Sequence, residues 1–89
     1  MFYVYVLKIS NGGQLYIGYT NDLKRRLQEH QNKMSEYTKH RSPIELVYYE
    51  AFNSEEDARK REKNLKQFKA SYGHLKKRIK ISIEISNKI

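Results

Sequence analysis

The fifteen residues Tyr16-Ile17-Gly18-Tyr19-Thr20-Asn21-Asp22-Leu23-Lys24-Arg25-Arg26-Leu27-Gln28-Glu29-His30 constrain the fold of this chain more than any other stretch. An aromatic and β-branched run stops at a glycine, passes through polar residues that cap helices, and continues with helical spacing. Thr20 or Asn21 is the expected cap, and Asp22 suits the positive end of the helix. Leu23, Leu27, His30 and Met34 recur at i, i+4, i+7 and i+11, the stripe that should pack on a sheet. Arg26 falls beside that stripe, whereas Lys24, Arg25, Gln28 and Glu29 point elsewhere.

Upstream, Phe2 to Ile9 (FYVYVLKI) reads as a strand, and Ser10-Asn11-Gly12-Gly13 as a turn into a return strand over Leu15 to Tyr19. A four-residue loop would pair Ile9 with Gln14, set Tyr5 opposite Gly18 and Leu7 opposite Tyr16, and put Tyr5 and Tyr16 on one face. A three-residue loop would separate the two phenols. Residues 35–43 (SEYTKHRSP) are polar and basic and read as a loop, and Pro43 sets the boundary of a third strand, Ile44 to Phe52. Ser54-Glu55-Glu56-Asp57 opens a second helix, expected to end near Ser71-Tyr72-Gly73, with a short basic helix over 74–80. Ile81, Ile83, Ile85 and Ile89 alternate with polar residues in a tail that reads as an edge strand, a dimer contact or a frayed end. The expected fold is α+β (α/β): a three-stranded, mainly antiparallel sheet flanked by helices, in the order β-β-α-β-α-α.

On the second helix, Ala58, Leu65 and the stem of Lys69 mark an inward face that also carries Glu62. A carboxylate there is costly unless it is paired, protonated or bound to a metal. An internal salt bridge, to Arg26 or Arg61, and a metal site are both open readings.

Eighty-nine residues make one domain with one core. No apolar run approaches the ~18–20 residues of a membrane span. Without cysteine there is no disulfide framework or thiolate metal site, and a cytoplasmic location is the expectation. Charge is unevenly spread: 7 Lys/Arg stand against 8 Asp/Glu through residue 58, and 11 against 2 beyond it. That basic half suits a phosphate-rich partner. Lys24, Arg25, Lys39, His40, Arg41, Lys63 and Lys66 are the candidate nucleic-acid contacts.

Together these residues resemble the GIY-YIG nuclease superfamily, which includes homing endonucleases, some restriction enzymes and the N-terminal domain of the UvrC excision-repair protein. Tyr16-Ile17-Gly18 keeps the second half of the signature, while Tyr3-Val4-Tyr5 stands where the family has Gly-Ile-Tyr. The small stand-alone bacterial members also show segments like Tyr37-Thr38, Pro43 with Leu46-Val47-Tyr48-Tyr49-Glu50, and Ala58 with Arg61-Glu62-Lys63. The similarity spans about residues 1–80 and leaves 81–89 as a tail or edge strand.

The resemblance implies a metal-dependent endonuclease that hydrolyses phosphodiester bonds, in DNA in preference to RNA, with a role in repair or recombination. Tyr5 and Tyr16 match the signature tyrosines, one expected to deprotonate or orient the attacking water. Arg26 matches the arginine that contacts the scissile phosphate, His30 a position often histidine, and Glu62 the acid that holds one divalent cation, Mg²⁺ or Mn²⁺. The family's usual late asparagine has no clear match. With no separate sequence-reading module, structure-selective or weakly sequence-selective cutting is expected. A non-catalytic nucleic-acid-binding module with a degenerate site is the alternative.

Overall fold

The computed structural model describes residues 1–9, 14–32 and 44–85. Strands β1 (Phe2–Ile9), β2 (Gln14–Thr20) and β3 (Ile44–Phe52) form an antiparallel sheet in the order β2-β1-β3. Helices α1 (Leu23–Gln31), α2 (Glu55–Gln67), α3 (Lys69–Arg78) and α4 (Lys80–Ile85) complete the chain. The first strand is central, which explains why Val4 through Ile9 are all buried. A strand covered on both faces needs the near-continuous apolar run that this one has.

The β1–β2 register is the one expected from a four-residue loop: Tyr5 pairs with Gly18, Leu7 with Tyr16 and Ile9 with Gln14. Tyr5 and Tyr16 therefore share a face. On β3 the pairing shifts between Val6 and Leu7, so that Val6 meets Tyr48 and Leu7 meets Leu46. Val47 is the extra residue of this bulge.

One face of the sheet carries the apolar core, in which Val4, Val6 and Ile17 pack against Ala58 and Leu65 of α2 and against Leu75 and Ile79. The Ser54 side chain caps α2 by accepting from the Asp57 N–H at 3.2 Å, with Glu55, Glu56 and Asp57 in the first turn.

Three sequence expectations are corrected. The second helix breaks at Phe68, whose extended backbone (φ −113°, ψ 114°) redirects the chain, and Gly73 lies inside α3. This break lets Leu75 and Ile79 join Leu65 in the core, and burial overrides the weak helix propensity of glycine. Lys69 consequently belongs to α3 and is exposed, so its stem is not part of the α2 inward face. Finally, residues 80–85 are helical, not an edge strand. Ile83 packs on the core one turn beyond Ile79, Ile81 and Ile85 stay exposed, and the buried Lys8 donates its Nζ to the Ile83 carbonyl at 3.0 Å.

Candidate active site

The second sheet face holds the polar cluster. Asp22 is the N-cap of α1, accepting from the Arg25 N–H at 3.1 Å, in place of the expected Thr20 or Asn21. Thr20 instead shapes the turn, its hydroxyl accepting from the Asp22 N–H and donating to the Asp22 carbonyl. That entry angle lays α1 over the sheet so that His30, 0% exposed, sits against Tyr5 and Tyr16. Ring centroids lie 5.7 Å apart for Tyr5–His30, 5.4 Å for Tyr16–His30 and 6.2 Å for Tyr5–Tyr16.

The Tyr5 hydroxyl is the hub of this cluster. It shares a hydrogen bond of 3.0 Å with His30 Nε2 and accepts from Arg26 Nε at 3.4 Å. Gly18 makes the arrangement possible, because a Cβ built there would overlap the Tyr5 ring and hydroxyl. Burial pushes the Tyr5 phenol up to about 12, against the opposing pull of Arg26. Burial, joined by the Arg26 charge, lowers His30 to about 4. At neutral pH the hub is a protonated phenol beside a neutral imidazole, and Tyr5 is therefore poorly placed to serve as a free base.

Arg26 is held by two partners. Its Nη1 donates to Glu29 Oε1 at 2.8 Å in addition to the Tyr5 contact. Burial works against its charge, but the Glu29 and Tyr5 hydrogen bonds outweigh it and raise its pKa. Glu29, expected to point away, bridges Arg26 and Arg25 instead, and its carboxyl is lowered mainly by Arg26. Its i+3 and i+4 spacing from the two arginines was the signal available in the sequence.

Two hollows border the free edge of β2. One, of about 360 Å³, joins Tyr19 and Thr20 to Arg25, Arg26 and Glu29 of α1 and to Glu55 and Arg59 of α2. The other, of about 450 Å³, joins Tyr16 to Leu65, Lys66 and Tyr72. Glu62 stands on α2 about one turn from Arg59 and from Lys66, on the stripe that links the hollows. Sequence reasoning did not identify Tyr19, Glu55 and Arg59, which meet at the first hollow: the Tyr19 hydroxyl donates to Glu55 at 3.0 Å, and the Arg59 guanidinium covers the Tyr19 ring at 4.2 Å.

Glu62 does not pair with Arg26 or Arg61. Its carboxylate accepts from Lys66 Nζ at 2.9 Å, while Arg61 makes a two-pronged contact with Glu50. The Glu62 side chain is 21% exposed, at the rim of the core and not inside it. Among the described residues, no group of three or more His, Cys, Asp and Glu could enclose a metal. A single rim carboxylate is a ligand suited to a divalent cation that keeps most of its hydration shell.

Lys24, Arg25, Lys63 and Lys66 are exposed. Arg25 is engaged with Asp22 and Glu29, and Lys39, His40, Arg41 and Met34 lie outside the described residues. No described helix is long and apolar enough to cross a membrane.

The family profile for the GIY-YIG catalytic domain matches residues 1–80. The chain belongs to the GIY-YIG nuclease family. It is similar to a UPF0213 protein of Streptococcus agalactiae, with 50% identity over 73% of this chain and 74% of that relative. A UPF0213 protein of Staphylococcus saprophyticus is 42% identical over 74% of this chain and 80% of its own length. The solution NMR structure of a UPF0213 protein from Bacillus halodurans superposes with a TM-score of 0.54 at 37% identity, covering 84% of this chain and 82% of that one. This GIY-YIG chain is thus similar to small stand-alone proteins, and its family implies a nucleic-acid substrate.

Proposed function

We propose that this chain is a divalent-metal-dependent endonuclease that hydrolyses phosphodiester bonds in DNA, selects substrates by structure more than by sequence, and serves DNA repair or recombination. The observation that carries this reading is the hydrogen-bonded Arg26–Tyr5–His30 unit beside Tyr16, at the edge where α1 and α2 approach β2.

Tyr16 borders an open hollow, whereas Tyr5 is buried. In this reading Tyr16 orients the attacking water, while Tyr5 and His30 are positioning residues that fix the phenol pair. Arg26, with Glu29 holding one edge of its guanidinium, presents its remaining N–H groups to the phosphate and stabilises the charge that grows on its oxygens. Arg25 and Arg59 reinforce the positive field in the same hollow. A cation held at Glu62 would neutralise phosphate charge and ease departure of the leaving oxygen. Lys24, Lys63 and Lys66 add contacts that position the strand without reading bases.

The second reading, a binding module without cleavage, draws support from the Lys66 ammonium on Glu62 and from the raised Tyr5 phenol. Incubation with nicked, branched and linear DNA in Mg²⁺ or Mn²⁺ separates the two. The nuclease reading expects cleavage by the wild type and none by Glu62→Gln, with DNA binding kept. Equal cleavage by both proteins, or binding without cleavage by either, removes it.

A further inference from the structure

The last turn of α3 carries Lys76, Lys77 and Arg78, and the run from residue 69 to residue 80 contains five Lys/Arg and no acid. Among the described arginines, Arg25, Arg26, Arg59 and Arg61 each hold a carboxylate. Arg78 holds none among the described residues. It lines a hollow of about 420 Å³ with Tyr48, Glu50, Arg61, Ser71 and His74.

The one carboxylate among the described residues of that hollow is already engaged. Arg61 donates to Glu50 through Nε and Nη2 at 3.0 Å each, and the Tyr48 hydroxyl donates to it at 2.8 Å. Arg78 is therefore the uncompensated charge of the hollow, with the Ser71 hydroxyl and the His74 imidazole beside it as further hydrogen-bonding groups. A guanidinium with neighbouring donors and no free acid suits a phosphate oxygen. The flanking Lys77 and Lys80 are exposed, which extends the charge beyond one anion and fits a polyanionic backbone.

The location decides what kind of nucleic acid this implies. Tyr48 and Glu50 pair with Val6 and Val4, so they face the α2–α3 side of the sheet on its β3 edge. Tyr5 and Tyr16 lie on the other face, and Tyr16 is on the β2 edge. The two hollows open at opposite edges of the sheet, and both border α3, one through Tyr72 and the other through Ser71.

We propose that the Arg78 hollow binds a backbone phosphate of a second nucleic-acid segment, an arm diverging from the one at Tyr16 and Arg26. This rests on the nuclease reading and gives its structure selectivity a physical source, since branched or sharply bent DNA presents two diverging backbone segments at once.

The test is binding of a labelled three-way junction and a linear duplex of equal length across a salt series, in EDTA so that neither is cut. Arg78→Gln is compared with the wild type and with Lys60→Gln on α2. Arg78 is exposed and lacks a carboxylate partner among the described residues, so its replacement spares the core. The expected result is that Arg78→Gln weakens junction binding and lowers its log K against log salt slope by about 1, with duplex binding and Lys60→Gln unchanged. Equal losses on both DNAs overturn the second-segment assignment, and no loss on either overturns the phosphate site. A wild type that binds neither DNA would instead overturn the nuclease reading.

Discussion

The ring of Tyr5 lies where a side chain on Gly18 would stand. The two residues face each other across the β1–β2 ladder, and the missing Cβ lets the phenol lie over the neighbouring strand and meet His30 and Arg26. The final glycine of the Tyr-Ile-Gly segment is thus a packing requirement of the first tyrosine.

Gly18→Ala should therefore behave as an overpacked core change, destabilising the domain by roughly 1–3 kcal/mol. Urea unfolding checks this. Tyr5→Leu in the same chain should recover part of the loss, giving a coupling of about 0.5 kcal/mol or more. Strictly additive effects would place the two side chains apart.

His30 sets a pH dependence of stability. Its folded pKa is lowered to about 4 from 6.5, so between those values the unfolded chain binds more protons than the folded one. The contribution is full above pH 6.5 and is lost as pH falls through about 4, amounting to ~3 kcal/mol if the whole shift is realised. Unfolding free energies measured from pH 7 to pH 4 should fall, and His30→Gln should flatten that slope.

Arg26→Lys keeps the charge but loses the planar fork that meets Tyr5 and Glu29 together. Cleavage should fall by roughly 10²–10³-fold, the scale of losing one oriented donor at a reacting centre. DNA affinity and melting temperature should change little, and a proportional loss of affinity would point to simple binding.

Lys66 competes for the carboxylate proposed to hold the cation. With Lys66→Met at saturating DNA, the Mg²⁺ concentration for half-maximal cleavage should fall by a few-fold. Titration of wild type and variant with Mg²⁺ checks this, and an unchanged midpoint would place the metal away from Glu62.

Much of the fold was legible because its signals are local. The alternation of FYVYVLKI, the Ile44–Phe52 run and the Ser54 cap with three following acids mark their elements without reference to distant residues. The break at Phe68 and the helical α4 were not legible, since both are set by Leu75, Ile79 and Ile83 reaching a core built from β1, β2 and α2. The same holds in the site. The signature spacing led to Tyr5, Tyr16, Arg26 and His30, but the spacing of Glu62 did not reveal that Lys66 would engage it in preference to either arginine.

By itself the sequence determined the strands, the start of the second helix and, given a four-residue loop, the hairpin register, because backbone preference and side-chain period act over a few residues. It also determined the basic second half, which is a matter of composition. Glu29 with Arg26 and Glu62 with Lys66 are pairs one helical turn apart, but only the tertiary structure decided that Glu50 would cancel Arg61 and that no described carboxylate would meet Arg78. An ion pair depends on where two side-chain tips arrive, and for Glu50 and Arg61 that is settled by packing between elements that no sequence period records.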